Sequence, residues 1–184
     1  MQSVLRLARL SNLRTMRSGR LRSELGNGRN RLRPRLPTRN HSFVGRPQDF
    51  TGAHGVRTYL DSDVLIWYLR GEPAARTFFR KLRKLGTTDL WVGALQRAEI
   101  VFFMRPHEER LTLEFLSRFK TPEVTEATID LGSSLYRKWQ KSHGTDVNDA
   151  ILAATAIKTK GAIFTLNTKH FPMHDLEVMK AWSQ

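Results

Sequence analysis

Apolar and polar positions follow two different periodicities in the last two-thirds of the chain. Three short apolar runs fit buried strands, at Thr58–Leu60, Leu90–Val92 and residues 162–164. Between these runs, apolar residues recur every three to four positions, which is the spacing of amphipathic helices. Strands that alternate with helices predict an α/β fold, with a central parallel sheet between two helical layers.

Proline and glycine set the expected bounds of the helices. We predict helices at residues 64–70, 73–85, 94–105, 108–115, 127–143 and 150–160, and a further short strand around Val124. The helix at 94–105 is rich in apolar residues, so we expect it to be largely buried. Other side chains that we expect on buried helix faces are Ala75, Phe78, Phe79, Leu82, Leu85, Leu111, Phe115, Ala127, Leu131, Leu135 and Trp139.

Most of the positive charge lies in the first 57 residues. The chain carries a net charge of +14, and residues 1–57 hold 13 arginines against only Glu24 and Asp49, which is +11 of that total. The remaining +3 is too small an excess to indicate nucleic-acid binding from charge alone. The function must therefore be inferred from particular residues.

Residues 1–55 contain few large apolar residues and many turn-forming residues. We predict a disordered basic leader there, followed by a single domain at 56–184. The leader resembles an organelle transit peptide, and a nucleic-acid-binding arm is a second interpretation. The simplest interpretation is translated upstream sequence, with initiation at Val56.

The chain contains no cysteine, which excludes disulfides and thiol chemistry. A reducing intracellular compartment is the simpler assumption, and we expect the cytoplasm. No apolar run is long enough to span a membrane.

Four polar residues stand at positions where chemistry is expected. Asp61 and Asn167 follow predicted strands, and ligands of parallel α/β sheets bind at the carboxyl ends of strands. Glu99 lies within an apolar helix and Asp149 opens another, where a carboxylate is costly to bury unless it is paired or binds a metal. Structural interpretations compete with each: a helix cap at Asp61 or Asp63, a partnership of Glu99 with Arg97, Arg105 or Gln96 at an exposed edge, a capping box of Asp146 with Asp149, and a turn at Asn167.

Four segments resemble the motif blocks of PIN-domain nucleases, and most closely those of the VapC-type toxins: TYLDSDVLIWYLRG, ALQRAEIVFF, GTDVNDAILAATA and IFTLNTKHF. The resemblance implies that Asp61, Glu99 and Asp149 bind metal and that Asn167 is the fourth residue of the catalytic site. Many relatives have aspartate at this fourth position, so we expect weaker metal binding here. The resemblance makes Asp63, Asp146 and Thr165 candidate auxiliary residues.

The same resemblance implies an endoribonuclease that uses Mg²⁺ or Mn²⁺ and leaves a 5′ phosphate and a 3′ hydroxyl. Hard oxygen ligands suit these cations, which activate water and stabilise charge on phosphate oxygens. The implied partners are an RNA substrate, a small antitoxin protein and a second copy of the chain in a homodimer. His143 and His170 are expected on the surface.

Two alternatives remain open at the level of sequence. Asn167 is consistent with a PIN-fold binding protein whose catalytic site is weakened. Asp61, Ser62 and Asp63 also resemble the start of a haloacid dehalogenase-like phosphatase, in which the first aspartate is the nucleophile.

Overall fold

The computed structural model of the protein describes residues 57–87 and 89–183. The predictions for the basic leader and for its boundary with the domain fall outside these residues.

The sheet has four parallel strands: β1 at Thr58–Leu60, β2 at Leu90–Val92, β3 at Ala162–Thr165 and β4 at Glu177–Lys180. Their spatial order is β2-β1-β3-β4, so β1 and β3 are the central pair. The first three strands confirm the prediction from apolar runs. Strand β4 was not predicted, because it lies at the edge of the sheet and its exposed end residues, Glu177 and Lys180, do not form an apolar run.

Six α-helices connect or follow these strands in the described part of the chain. They are α1 at Ser62–Leu69, α2 at Pro73–Lys84, α3 at Ala94–Phe103, α4 at Glu109–Leu116, α5 at Glu126–His143 and α6 at Val147–Thr159. Short 3₁₀ turns occupy Pro106–Glu108, before α4, and Thr168–His170, after β3. None of the helices in the described residues is long and apolar enough to cross a membrane.

Helices cover both faces of the sheet, which confirms the predicted three layers. Successive strand residues point to opposite faces. Leu60 and Phe164 face a core built with α1 to α4, whereas Tyr59 and Ile163 face α5 and α6. In the second helical layer α5 approaches α6 closely at Gly132, where a Cβ atom would lie 2.6 Å from Cδ1 of Ile151.

Several burial predictions were wrong. Helix α3 is not largely buried: its buried residues are Gln96 and Ile100, and in its last turn Phe102 is 79% and Phe103 is 54% exposed. Leu85 and Leu111 are also exposed: Leu85 lies just beyond the end of α2, and Leu111 is on the outer face of α4. The segment around Val124, which the structure describes, contains no strand; the nearest pairing is a single bridge between Trp91 and Lys120.

Candidate active site

Asp61 lies at the end of β1 and begins α1. Its Oδ1 accepts a hydrogen bond of 2.8 Å from the backbone N–H of Ser62, and its Oδ2 accepts one of 2.9 Å from the hydroxyl of Thr165. The side chain is therefore the helix cap that was weighed as the structural interpretation. Only 7% of the residue is exposed, and it lies where the order of the sheet reverses between β1 and β3, so capping does not exclude a role at a ligand site.

Thr165 connects three of the candidate residues. Its fully buried hydroxyl lies 2.9 Å from Asp61 Oδ2 and 3.3 Å from Asp63 Oδ2, and it accepts a hydrogen bond from the backbone N–H of Asn167. Asp63 Oδ2 also accepts a hydrogen bond from the backbone N–H of Leu166. The other oxygen of Asp63 is buried and has no hydrogen-bond partner among the described residues.

Asp146 and Asp149 form the capping box that the sequence offered as the structural interpretation. Asp146 Oδ1 accepts the backbone N–H of Asp149, and Asp149 Oδ2 accepts the backbone N–H of Asp146, each at 2.9 Å. The box orients Asp149, which is 8% exposed, at the start of α6. Gln96 of α3 donates a hydrogen bond to the carbonyl of Asn148, so α3 is tied to the same turn.

Glu99 is partly buried on α3 and faces the beginning of α6. Burial raises its pKa, hydrogen bonds from the Ser62 and Asn148 side chains lower it, and the charges of Asp146 and Asp149 raise it. Of the partners weighed in the structural interpretation, Arg97 donates to the carbonyl of Leu116 at the end of α4, and Gln96 donates to the carbonyl of Asn148.

Burial, with repulsion between neighbouring charges, raises the pKa of these carboxylates. Burial raises the pKa of Asp61 well above its ordinary value, and repulsion from Asp63 and Asp149 raises it further. Burial also raises the pKa of Asp63, to about 6, against hydrogen bonds from Leu166 and Thr165 that lower it. Burial and the charge of Asp149 raise the pKa of Asp146. The structure therefore brings Asp61, Asp63, Glu99, Asp146 and Asp149 into one electrostatic cluster, which we call the acidic cluster.

Asn167 lies beside the acidic cluster rather than within it. Its side-chain nitrogen is 3.0 Å and 3.1 Å from the two ring nitrogens of His170, and its side chain makes no hydrogen bond to a carboxylate of the described residues. His170 itself was predicted to be a surface residue, and this was wrong. Its side chain is 26% exposed, and its Nδ1 lies 3.1 Å from Asp149 Oδ2, because the 3₁₀ turn after β3 folds back over the start of α6.

The residues present suit a hard divalent cation in chemistry, though not as a ready-made ligand shell. Within residues 57–87 and 89–183, no three His, Asp or Glu side chains stand in an arrangement that could hold a metal ion as it is. However, the donors are carboxylate oxygens, the ligands that Mg²⁺ and Mn²⁺ prefer, and one buried oxygen of Asp63 has no partner. Carboxylates with raised pKa values gain most from a neutralising cation.

Three residues near the acidic cluster were not singled out from the sequence as parts of the site: Ser62, Gln96 and His170. The Ser62 side chain lowers the pKa of Glu99. Nothing in the periodicity distinguishes these residues from ordinary polar positions. The only available signal was their place next to, or within three positions of, the four residues already chosen.

Comparisons with known proteins agree with this geometry. The model of a family described as "PIN domain" matches residues 58–174. The sequence is 35% identical over 117 residues to Ribonuclease VapC10 of Mycobacterium tuberculosis, covering 63% of this chain and 86% of that protein. It is 34% identical over 115 residues to Ribonuclease VapC19 of the same organism, covering 62% of this chain and 91% of that protein.

Solved structures with lower sequence identity share the fold. VapBC2 from Rickettsia felis, solved bound to a DNA fragment from its promoter, has a chain that superposes with a TM-score of 0.58 at 18% identity, covering 70% of this chain and 100% of that one. A toxin–antitoxin complex from Klebsiella pneumoniae gives 0.57 at 20% identity, covering 69% and 99%. At identities this low, the structural similarity shows a common fold alone.

Proposed function

The chain belongs to the PIN domain family, and on this premise we propose that it is a VapC-type ribonuclease that cleaves RNA with the help of Mg²⁺ or Mn²⁺. The observation that carries the proposal is the acidic cluster at the point where the sheet order reverses. The relatives named ribonucleases supply the substrate class.

Asp61, Glu99 and Asp149 are the residues that we propose to hold the cation, with Asp63 and Asp146 as auxiliaries. A divalent cation at this position supplies a Lewis acid that makes water nucleophilic at neutral pH and stabilises charge on phosphate oxygens. The protein residues fix the carboxylates: the α1 cap and Thr165 hold Asp61, and the capping box holds Asp149. Asn167 borders the site and donates its backbone N–H to Thr165.

The phosphatase alternative fits the structure poorly. The resemblance to such phosphatases would require a flexible turn after the nucleophilic aspartate. Here α1 begins at Ser62, directly after Asp61. A weakened PIN-fold binding protein is the remaining alternative, and the activity of the purified protein distinguishes it.

The test is cleavage of a labelled RNA by the wild type and by Asp61→Asn, Glu99→Gln and Asp149→Asn, each with Mg²⁺, with Mn²⁺ and with EDTA. We expect wild-type cleavage only with the cation, and a loss of about 100-fold or more in each variant, because each removes a charge that would hold it. The fold should survive. Asparagine is an effective helix cap at position 61, and the amide oxygen introduced by Asp149→Asn can still accept the N–H of Asp146.

Asp175→Asn is the matched control, since Asp175 is an exposed aspartate on the loop before β4. It should cleave like the wild type. Cation-dependent cleavage that persists in Asp61→Asn and in Asp149→Asn would refute the assigned site. No cleavage of any RNA by a folded wild type would favour the binding-protein alternative.

We also propose that a small antitoxin protein binds the chain and blocks the acidic cluster, and that the chain forms a homodimer. The support is that similar folds occur in solved complexes named VapBC or toxin–antitoxin. Expression alone should arrest growth, and co-expression of the product of an adjacent small gene should relieve it. Harmless expression of an active, folded protein would contradict the toxin role.

A further inference from the structure

His170 lies between a carboxylate and an amide. Its Nδ1 is 3.1 Å from Asp149 Oδ2, and the side-chain nitrogen of Asn167 is 3.1 Å from Nδ1 and 3.0 Å from Nε2, so it contacts both ring nitrogens about equally. A neutral imidazole carries a proton on one ring nitrogen and a lone pair on the other. Because a carboxylate only accepts hydrogen bonds, the neutral ring can donate to Asp149 only with its proton on Nδ1.

The ring is held in this position from its own backbone. The hydroxyl of Thr145, which is fully buried, donates a hydrogen bond of 2.7 Å to the carbonyl of His170. Thr145 directly precedes Asp146, the N-cap of α6. The turn after β3 and the start of α6 are thus joined twice, once through Thr145 and once through the His170 ring.

The contact with His170 helps to fix the orientation of the Asp149 carboxylate. Both the backbone N–H of Asp146 and Nδ1 of His170 approach Oδ2. Two donors on the same oxygen fix the rotation of the carboxylate group and leave Oδ1 for the acidic cluster. The capping box alone supplies only one of these donors.

We propose that His170 is a positioning residue for Asp149. The carboxylate sets the tautomer because it only accepts a hydrogen bond, and the Nδ1–H that donates to it sets the orientation of the carboxylate. The consequence for RNA cleavage rests on the proposed nuclease function. The tautomer and the orientation of Asp149 do not.

The sharpest test compares His170→Asn with His170→Gln in the full chain. The amide nitrogen of asparagine occupies nearly the place of Nδ1, whereas that of glutamine occupies nearly the place of Nε2. We expect His170→Gln and His170→Leu to weaken Mn²⁺ binding, measured by calorimetry, about tenfold and to lower kcat about tenfold with little change in KM. His170→Asn should stay within about threefold of the wild type in both.

His174→Ala is the matched control, because His174 is an exposed histidine four residues away, and it should bind Mn²⁺ like the wild type. A structural role alone would lower the melting temperature in all three His170 variants and would not separate asparagine from glutamine. Equal Mn²⁺ affinity in the asparagine and glutamine variants would overturn the proposal.

A second readout needs neither metal nor RNA. Two-bond ¹⁵N–¹H correlation spectra of the wild type, recorded with a neutral ring, should show His170 protonated on Nδ1. A ring protonated on Nε2 would overturn the positioning role of His170 even if the protein cleaves RNA. Conversely, an Nδ1–H tautomer with restored Mn²⁺ binding in His170→Asn upholds it even if no RNA is cleaved, so the two proposals fail separately.

Discussion

At the scale of single residues, Thr165 offers one proton to two carboxylates. Its hydroxyl lies 2.9 Å from Asp61 Oδ2 and 3.3 Å from Asp63 Oδ2, and it can donate to only one of them at a time. The aspartate that does not receive the hydroxyl proton keeps a buried oxygen with one hydrogen bond fewer. Burial raises the pKa of both aspartates and the Thr165 hydroxyl lowers it, so removing the charge of one aspartate leaves this donor to the other.

We predict that Asp63→Asn stabilises the protein at pH 8 without divalent cations. The pKa of Asp63 is about 6 when folded, against an ordinary value of 3.8, so the folded protein keeps a proton that the unfolded chain has lost. The stability due to this group is present below about pH 4 and is lost as the pH rises through 6. The variant escapes that loss, which amounts to at most about 3 kcal/mol.

Urea unfolding of both proteins from pH 4 to pH 8 in EDTA measures this effect. The stability difference should grow with pH and should disappear near pH 4. Asparagine keeps an oxygen for the N–H of Leu166, so the comparison isolates charge. A difference that is constant with pH would mean that lost contacts, rather than ionisation, decide the outcome.

At the scale of elements, two neighbouring residues at the end of α6 have different structural roles. Lys160 takes the left-handed conformation that closes the helix, with φ 53°, although glycine usually occupies such a position. Gly161 was predicted to close the helix, but its backbone is not left-handed. It is needed for space, since a Cβ atom there would lie 2.8 Å from the carbonyl oxygen of Arg57 and 2.6 Å from the Tyr59 ring.

We therefore predict that Gly161→Ala destabilises the domain by about 1 to 3 kcal/mol, because neither the backbone of Arg57 nor the buried ring can move aside cheaply. Lys160→Gly is the matched neighbour. It should be neutral or stabilising by up to about 1 kcal/mol, since it removes the left-handed strain of a side-chain-bearing residue. Urea midpoints that fall for Lys160→Gly and hold for Gly161→Ala would reverse the assignment.

The sequence predicted those elements whose pattern is imposed by burial. The strand runs at β1, β2 and β3 and the long helices α5 and α6 were clear because the sheet and the second core cover them. Strand β4 and the exposed end of α3 were missed because the position of a strand at the sheet edge and the exposure of a helix end depend on tertiary contacts. In the site, local spacing suggested Asp61, Asp149 and their caps, whereas the contact of His170 with Asp149 depends on two segments meeting in space.

At the scale of the whole molecule, charge and structure are distributed differently along the chain. The PIN match begins at residue 58 and the first strand at Thr58, whereas most of the net charge of +14 lies before them. The domain boundary proposed at residue 56 stays a prediction.

We predict that a chain starting at Val56 folds and, if the nuclease proposal holds, cleaves a short RNA as fast as the full chain does. The reason is that the family match and the first described strand both begin after Val56. Circular dichroism and the melting temperature measure the first outcome, and single-turnover cleavage the second. A shortened chain that is insoluble would refute the boundary. Slower cleavage at low salt only would identify the leader as an RNA-binding arm.

The central position of β1 has a consequence for the order of folding. Strand β1 precedes the other strands of the described residues, yet its partner β3 comes about a hundred residues later, and the hydrogen bond from Thr165 to Asp61 spans 104 positions. Such distant pairing forms slowly, because a long loop must close before the contact stabilises anything. On the ribosome, Asp61 can therefore accept the hydrogen bond from Thr165 only after β3 has left the exit tunnel. We expect the acidic cluster to be among the last parts of the domain to assemble, so that an unfinished chain cannot attack the RNA from which it is being translated.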